Sequence, residues 1–406
     1  MMVHIGSDGM IRAAHLLLLA VSVISVEDND MEKGTNTHIK PVPRPKDSPI
    51  PGRFWDAPRN CNPHPYTFTR NTDICSRYRD IVLLIAVKTH FPHIDTRTVI
   101  RKTWGAKGLN SNFNVVVVFF FATPKNVHTQ RAIEREHRKY KDIAQEDFVE
   151  DFRNLTTKVM GIFKWAQTYC SNAQNVMVTD DQIVIDMYKL VPYVIEHSGP
   201  GMQHFKLCYL YPCCTRVHRS RQTKYGLTKE EYKSNAFPSY CSGTAYIVSL
   251  STAKALFSMS LQTPYLFMDD VYVGILAAKL NFTFLDSYKA FAGIGNTPSL
   301  MKNFMDSKYL TSPIMIGITD FDYRGKENYI MKQVWSHIQT SHSKEDEIEK
   351  NVVVIYEKDD GGKDMASWSE LSFLNFLELG LIACVLVIIF AVTLNRKSKK
   401  SANKLV

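Results

Sequence analysis

The sequence lacks several features that would assign it to common functional classes. It has eight cysteines in 406 residues, and none of their spacings resembles a zinc site. It also shows no extracellular repeat module, which disfavours a receptor built from repeats. The net charge of +9 is not evidence for a nucleic-acid-binding surface, because the C-terminal segment alone supplies Arg396, Lys397, Lys399, Lys400 and Lys404.

Apolar runs mark the two ends of the chain. Leu16 to Val26 is long enough for the core of a signal peptide and too short to cross a bilayer. We expect a signal peptide there, with a short uncleaved anchor as the alternative. Leu377 to Leu394 contains one charged residue, Glu378, and is long enough to cross a thin membrane. The basic residues after it predict a cytosolic C-terminus and a body in the lumen of the secretory pathway.

These features divide the chain into six predicted segments. A polar, proline-punctuated stem follows the signal peptide, and an acidic linker precedes the membrane span. The predicted segments are a signal peptide or short anchor (1–26), a stem (27–73), a compact domain (74–342), a membrane-proximal linker (343–376), a transmembrane helix (377–394) and a basic tail (395–406).

The lumenal location determines how the cysteines and asparagines are interpreted. Disulfides are the default for the seven cysteines outside the span, and an odd number leaves one free or paired with another chain. The adjacent Cys213 and Cys214 are not expected to bridge each other. Asn281 and Asn154 begin N-x-T sequences and are candidate glycosylation sites.

The domain contains continuous apolar runs separated by segments of helical character. The runs lie at 81–87 (IVLLIAV), 114–121 (NVVVVFFF) and 176–178 (VMV), and the segments between them are charged or helix-periodic. Continuous apolar strands that alternate with helices predict an α/β fold, with a mostly parallel sheet covered by helices on both faces.

Two adjacent carboxylates follow the third of these runs. Asp180 and Asp181 stand where that strand is expected to end, which is the usual place for a ligand crevice in an open α/β sheet. Paired carboxylates suit a hard divalent cation that carries a diphosphate. The alternative is a pair of aspartates that caps a turn.

Two arginines follow the first strand on one predicted helical face. Arg97 and Arg101 are four residues apart, and a guanidinium group suits phosphate oxygens. The alternative is a solvated basic face with Trp104 in the core.

Six segments combine these features in a recognisable order. They are RTVIRKTWG at 97–105, YKDIAQEDFVEDFRNLTTK at 140–158, TDDQ at 179–182, VHR at 217–219 with KY at 224–225, FPSYCSGTAY at 237–246 and MDDVYVG at 268–274. In this order they closely resemble the motifs of the β1,3-galactosyltransferase family, β1,3-hexosyltransferases that use UDP-sugars. The resemblance implies a GT-A type fold with a Rossmann-like sheet, in a Golgi membrane protein with a lumenal catalytic domain.

The resemblance also implies the chemistry. An acceptor hydroxyl attacks the anomeric carbon in line, which requires a base and positive charge on the departing UDP. By position, the base is Asp269 or Asp270, and we favour Asp270. Asp180 addresses the ribose, and Asp181 approaches the metal and the diphosphate. The implied cofactor is Mn²⁺ or Mg²⁺.

Further site residues follow from the same resemblance. Arg97, Arg101 and Lys224 are expected at the nucleotide-sugar site, where the arginines hold or shape it. Gly243 is expected to leave room for a substrate against the backbone. Tyr240 and Tyr246 are expected to stack on a sugar face, with ordinary core aromatics as the alternative.

The sequence departs from the family pattern at the presumed metal site. The third triplet position is Gln182, and a neutral amide coordinates a cation without offsetting its charge. The late histidine of the family has no counterpart near 317–320, where Asp320 is a substitute oxygen ligand.

Two functional hypotheses therefore stand. The first is an active inverting transferase that moves galactose or an N-acetylhexosamine from a UDP-sugar to a glycan on protein or lipid. The second is a weak or inactive family member that acts as a lumenal binding protein or chaperone. Neither involves nucleic acid.

Overall fold

A computed structural model describes residues 61–109, 113–199, 202–220, 222–293, 297–319 and 327–358. The predicted signal peptide, most of the stem, the transmembrane span and the basic tail lie outside these residues. No helix in the described ranges combines the length and the apolar character that a bilayer span requires.

Seven strands form the main sheet of the described residues. Its strands are β1 (Phe68–Arg70), β2 (Ile81–Lys88), β3 (Val115–Thr123), β4 (Ile143–Val149), β5 (Ala173–Asp180), β7 (Phe205–Tyr211) and β8 (Tyr240–Ser249), in the order β1-β4-β3-β2-β5-β8-β7. The four strands from β4 to β5 pair in parallel, and the other pairings are antiparallel. The predicted α/β fold with a mostly parallel sheet is confirmed, since five of the seven strands run in one direction.

A smaller sheet and eight helices complete the described residues. The small sheet has the order β6-β10-β9, from β6 (Ile183–Ile185), β9 (Phe291–Ala292) and β10 (Ile316–Ile318). The helices are α1 (Ile94–Lys102), α2 (Val127–Tyr140), α3 (Leu155–Tyr169), α4 (Met187–Glu196), α5 (Leu250–Ser260), α6 (Asp269–Lys279), α7 (Thr297–Phe304) and α8 (Glu327–Lys358).

Apolar strand residues drive two separate cores, one on each face of the main sheet. Strands β2 and β3 are almost wholly buried because successive side chains, on opposite faces, both meet helices. On one face Leu84 and Ala86 join a cluster with α3, α5 and α6, and on the other Leu83 and Ile85 pack with α1, α4 and the small sheet. The sheet is therefore rigid at its centre, where the ends of β2 and β5 meet.

The folded part of the chain begins earlier than expected. Residues 61–73, assigned to the stem, are partly folded onto the domain: β1 pairs with β4, and His64 contacts Glu146. The strand is short and lies among polar residues and prolines, which hid it in the sequence. Compact units divide the chain into 1–342 and 343–406, and the first part of the predicted linker is helical through Lys358.

Four of the described cysteines form disulfides, as expected for a lumenal domain. Cys75 bonds to Cys170, and Cys208 on β7 bonds to Cys241 on β8. Cys61, Cys213 and Cys214 are free.

Candidate active site

The carboxyl ends of β2 and β5 bring together residues from three elements. Lys88, the last residue of β2, lies directly opposite Asp180, the last residue of β5, in the parallel register. Asp269 and Asp270 occupy the first turn of α6, where the helix dipole favours negative charge. The predicted carboxylates from two distant motifs thus share one crevice at the end of the sheet.

Lys88 links these carboxylates. Its Nζ atom lies 3.1 Å from Asp180 Oδ1 and 2.8 Å from Asp269 Oδ2. It also donates to the carbonyl oxygen of Gly243 at 2.9 Å, so that all three ammonium hydrogens have an acceptor. Burial alone would lower the pKa of Lys88, but Asp180 and Asp269 outweigh it and raise the pKa. Lys88 is therefore a fixed internal cation.

Asp269 and Asp270 have different surroundings although they are neighbours. Asp269 is 8% exposed and forms the ion pair with Lys88. Asp270 Oδ1 accepts a hydrogen bond from the Val271 backbone at 2.8 Å. Burial, and next the charge of Asp269, raise the pKa of Asp270 to about 7. Environments that separate two carboxylates in this way suit one of them to act as a base near neutral pH.

Asp180 and Asp181 diverge in the same manner. Asp180 lies at the edge of the crevice, where partial burial, followed by the nearby Asp269 charge, raises its pKa despite Lys88. Its side chain is 41% exposed, so part of the carboxylate stays accessible. Asp181 is turned toward the loop after β2, where its Oδ2 accepts from Thr89 Oγ1 at 2.6 Å and contacts His93 Nδ1 at 2.9 Å. Asp180 is the more accessible of the two.

Gly243 lies against the first turn of α6. A Cβ atom at this position would lie 3.3 Å from Asp270 Cβ and 3.6 Å from Asp269 Oδ2. The missing side chain therefore leaves room for the two carboxylates of α6. Room for a substrate against the backbone at this position stays a prediction.

Arg97 and Arg101 do not present free guanidinium groups. Arg97 is fully buried and pairs with both oxygens of Glu136. Arg101 contacts Glu136 at 2.8 Å and Asp142 through two nitrogens at 2.7 and 2.9 Å. Internal carboxylates on and after α2 therefore occupy both forks in the described structure, and a role of the arginines at the nucleotide site stays a prediction.

Arg97 nevertheless shapes the crevice. It donates to the carbonyl of His90 at 2.9 Å and to Thr89 Oγ1 at 3.2 Å. Thr89 in turn donates to Asp181. Arg97 thus fixes the loop that orients Asp181.

The two predicted tyrosines are part of the packed interior. Tyr246 is 1% exposed, with its ring 5.9 Å from that of Phe205, so the core alternative is the correct one. Tyr240 is 8% exposed and stacks on Tyr211 at 5.0 Å. Tyr211, on the end of β7, is half-buried, and the charge of Asp270 contributes to its raised pKa after burial and Tyr209.

Lys224 lies apart from the Lys88 cluster. Its Nζ atom is 5.0 Å from the ring centroids of both Phe152 and Tyr225. Phe152 is 6.0 Å from Phe267, two residues before Asp269. The structure therefore brings Lys224 to the flank of the crevice and not into its centre.

The charge balance of the crevice suits a divalent cation. Two carboxylates, Asp180 and Asp269, contact the buried Lys88, and each is followed in the chain by another aspartate. A diphosphate bound beside them would add negative charge that a divalent cation could offset. Oxygen donors of this kind match Mn²⁺ or Mg²⁺. Among the described residues, however, no group of three histidines, cysteines or carboxylates could hold a metal ion, and Asp320 lies outside them. Carboxylates are the donor type that such an ion prefers, but no complete ligand set is assembled within the described ranges.

Lys88, Thr89 and His93 were missed by sequence reasoning. Lys88 is the one charged residue of the strand IVLLIAVK, and it stands at the strand end beside the end of β5. A lone lysine closing a buried strand, next to a strand that ends in aspartate, is a usable signal. His93 carried no comparable pattern.

The two candidate glycosylation sites differ in accessibility, and we predict that only Asn281 is modified. Asn281 is exposed just after α6, whereas the Asn154 amide nitrogen donates to the Val149 carbonyl at 2.9 Å. In chains secreted from animal cells, Asn281→Gln should remove the mass that peptide N-glycosidase releases. Asn154→Gln, the matched control, should leave that mass unchanged, and its loss in this variant would contradict the prediction.

Known glycosyltransferases are similar to this chain in sequence. Residues 95–286 match the family model described as Galactosyltransferase. Lactosylceramide 1,3-N-acetyl-beta-D-glucosaminyltransferase of Homo sapiens is 35% identical over 228 residues, which are 54% of this chain and 60% of that protein. Beta-1,3-galactosyltransferase 1 of Mus musculus is 29% identical over 222 residues, 55% of this chain and 68% of the relative. This chain therefore matches less than two thirds of the length of the human relative.

A solved glycosyltransferase structure is also similar. That glycosyltransferase is involved in the glycosylation of the major capsid of PBCV-1. The match covers 62% of this chain and 99% of the solved chain, with a TM-score of 0.32 and 13% sequence identity. A likeness at this TM-score adds nothing to the sequence relationship.

Proposed function

We propose that the chain is a galactosyltransferase-family member, like the β1,3-hexosyltransferases it resembles, and that it is an inverting glycosyltransferase. It transfers a hexose, either galactose or an N-acetylhexosamine, from a UDP-sugar to a hydroxyl group of a glycan acceptor in β1,3 linkage. The main sheet is then of the GT-A type, with the nucleotide at the ends of β2 and β5.

The division of labour between Asp269 and Asp270 carries this proposal. Lys88 neutralises Asp269 at 2.8 Å, and Asp270 keeps a pKa of about 7. In the proposed reaction Asp270 takes the proton of the acceptor hydroxyl as it attacks the anomeric carbon. Asp269, held by Lys88, fixes the first turn of α6 and keeps Asp270 in position.

The donor side is assigned to the other carboxylates. Asp180, the more exposed of the pair, contacts the ribose, and Asp181 lies toward the diphosphate with Gln182 beside it. A divalent cation bound there would offset the negative charge of the departing UDP. Lys224, on the flank of the crevice, contributes a further positive charge to the nucleotide-sugar site.

A screen of donors against acceptors tests the function. The purified full chain is incubated with UDP-galactose, UDP-N-acetylglucosamine and UDP-N-acetylgalactosamine, each with glycoprotein, glycolipid and proteoglycan acceptors. Lactosylceramide is included because it appears in the name of the human relative. We expect a β1,3-linked product from one donor, and its absence from all pairs would refute transferase activity.

Gln182 favours the alternative of a lumenal binding protein. Its neutral side chain supplies no charge to a metal, so a member that binds UDP-sugar without turning it over is consistent with the sequence. UDP that raises the melting temperature of the full chain, together with no product in the donor screen, would select this alternative.

We predict that Gln182→Asp strengthens metal dependence. A third carboxylate adds charge for a hard cation, so half-maximal activity should need several-fold less Mn²⁺. Gln182→Asn, which changes side-chain length without adding charge, is the control. Equal Mn²⁺ requirements in the wild type and the Asp variant would exclude this position from the metal site.

We also propose a Golgi location, with a single membrane span at 377–394 and the tail 395–406 in the cytosol. The support is the apolar run followed by basic residues, together with two disulfides that indicate an oxidising compartment. Protease added to intact microsomes should remove an epitope attached after Val406 and spare the domain. Protection of that epitope would reverse the topology.

A further inference from the structure

Two cysteines adjacent in sequence have their sulfur atoms in contact just beyond β7. Cys213 Sγ and Cys214 Sγ are 2.7 Å apart. In extended backbone, neighbouring side chains point to opposite faces and their sulfur atoms do not meet. The backbone of Cys214 is instead left-handed, with φ of 79°, a conformation that non-glycine residues seldom adopt.

Backbone hydrogen bonds hold this conformation. Cys214 N donates to Phe237 O at 2.9 Å, and Phe237 N donates to Thr215 O at 2.9 Å. Val217 N donates to Asn235 O at the same distance. The segment after Cys213 is therefore clamped to the segment before β8, and the contact between the two thiols is part of the folded structure.

The surroundings favour oxidation of this pair. The two disulfides of the described residues show an oxidising compartment, in which accessible paired thiols do not persist. Cys214 is exposed and Cys213 is half-buried, whereas the bonded Cys208 and Cys241 are buried and shielded from exchange. The vicinal pair is thus the accessible thiol–disulfide site of the described domain.

We propose that Cys213 and Cys214 form a redox-active vicinal dithiol that closes to a disulfide by exchange with an oxidant of the disulfide class, either glutathione disulfide or a protein disulfide. The inference does not depend on the proposed transferase activity. It leaves Cys61 as the unpaired cysteine of the described residues, which agrees with the odd number of lumenal cysteines.

The exchange balances in two steps. The exposed Cys214 thiolate attacks one sulfur of the oxidant, forming a mixed disulfide and releasing one thiolate. Cys213 then loses its proton and attacks Cys214 Sγ, which releases the second thiolate. Two protein thiols are oxidised and one external disulfide is reduced to two thiols. Burial, with the hydrogen bond to Cys214, raises the pKa of Cys213 to about 11, so Cys214 is assigned the first attack and Cys213 the second.

The position of the pair connects it to the candidate site. Tyr211, two residues before Cys213, stacks on Tyr240, and a Cβ atom at Gly274 of α6 would lie 2.5 Å from Tyr240 Cβ. Closing the vicinal ring tightens the chain directly after Tyr211. This end of β7 borders the helix that carries Asp270.

Peptide mapping tests the proposal. The full chain, purified without reductant, is denatured in N-ethylmaleimide, digested and analysed by mass spectrometry. We expect the peptide with Cys213 and Cys214 to carry no maleimide and to be lighter by two hydrogen atoms. After mild reduction it should carry two maleimides, while the Cys208–Cys241 bond remains closed. Two maleimides before reduction, persisting after incubation with glutathione disulfide, would overturn the proposal.

Variants separate a redox site from a structural one. Reduced wild type should bind phenylarsine oxide, a reagent for vicinal thiols, and Cys213→Ser should not. The double variant Cys213→Ser/Cys214→Ser should keep the melting temperature of the reduced wild type. If reduced wild type binds phenylarsine oxide but glutathione disulfide does not close the pair to a disulfide, the redox proposal is wrong. If Cys213→Ser still binds phenylarsine oxide, the binding site is not this pair.

Discussion

An Asp270→Asn variant is expected to lose transferase activity by about 10²- to 10⁴-fold while remaining folded. The amide keeps the size of the side chain and cannot accept the proton of the acceptor hydroxyl. Binding of UDP should persist, because the donor side is assigned to the carboxylates on and after β5. The measurement is the rate of product formation at saturating donor and acceptor, with UDP binding followed by thermal shift.

The pH profile sharpens this prediction. With a pKa of about 7, Asp270 must lose its proton to act as the base, so the wild-type rate should rise as the pH passes through 7. Asp269→Asn is the matched control, because the charge of Asp269 helps to raise that pKa. Removing this charge should move the rise in rate to lower pH. If the rate of the Asp269→Asn variant rises at the same pH as that of the wild type, the group that controls the rate does not belong to the Asp269–Asp270 pair.

Stability provides an internal check on the same variant. The folded pKa of Asp270 lies above its ordinary value of 3.8, so the folded state binds the proton more tightly than the unfolded state. The contribution of this group to stability is complete below pH 3.8 and is lost as the pH rises through 7. Asp270→Asn should therefore be stabilised relative to wild type at pH 8 more than at pH 5. Lost activity together with a lower melting temperature at pH 8 would indicate structural damage.

Replacing Lys88 by Met should destabilise the domain by about 3–5 kcal/mol, since removing one partner of a buried ion pair leaves uncompensated charge. Asp180 and Asp269 would then face each other without the cation that lies 3.1 and 2.8 Å from them. The loss should be larger at pH 8 than at pH 5, because the pKa of Asp180 is raised by burial and this carboxylate is more ionised at the higher pH. Urea unfolding of the full chain, followed by tryptophan fluorescence, measures the difference.

Lys206 offers a matched control for this prediction. It is also buried, but its Nζ atom contacts neutral groups, Asn175 Oδ1 at 2.6 Å and Ser198 Oγ at 3.3 Å. Lys206→Met removes a buried ammonium group without stranding a carboxylate, so it should cost less and depend less on pH. A double variant, Lys88→Met/Asp180→Asn, should recover part of the lost stability. Equal costs for the two lysines would show that Lys88 does not hold the crevice together.

The central strands were predictable because their sequences allow few alternatives. Strands β2 and β3 are continuous apolar runs, and β5 ends in the aspartate that the sequence placed at a strand end. The edge strand β1 was not predictable, because its three residues lie among prolines and polar residues and show no alternation of apolar and polar side chains. A local run of apolar residues identifies a strand that is buried on both faces. An edge strand such as β1 forms only because it pairs with a distant segment, which its own sequence does not show.

The candidate site divides in a similar way. Its carboxylates were found because motifs mark them, but their partners come from elsewhere in the chain. Glu136, which accepts hydrogen bonds from Arg97, lies on α2. This helix carries many charged residues, and nothing in the sequence distinguishes Glu136 from the others. Lys88 pairs with Asp269 across 181 residues. Such long-range ion pairs decide whether a charged side chain faces a ligand or the interior, and no local pattern records them.

The Cys75–Cys170 bond has a consequence for biosynthesis. Its two cysteines are 95 residues apart, and the enclosed segment contains β2, β3 and β4 with the helices that cover them. The bond cannot form until Cys170 has emerged from the ribosome and the lumenal chain has brought it to the residues before β2. By the chain-entropy account it then removes about 4–5 kcal/mol of freedom from the unfolded state. Closing this bond therefore ties together the two ends of the segment that carries β2, β3 and β4.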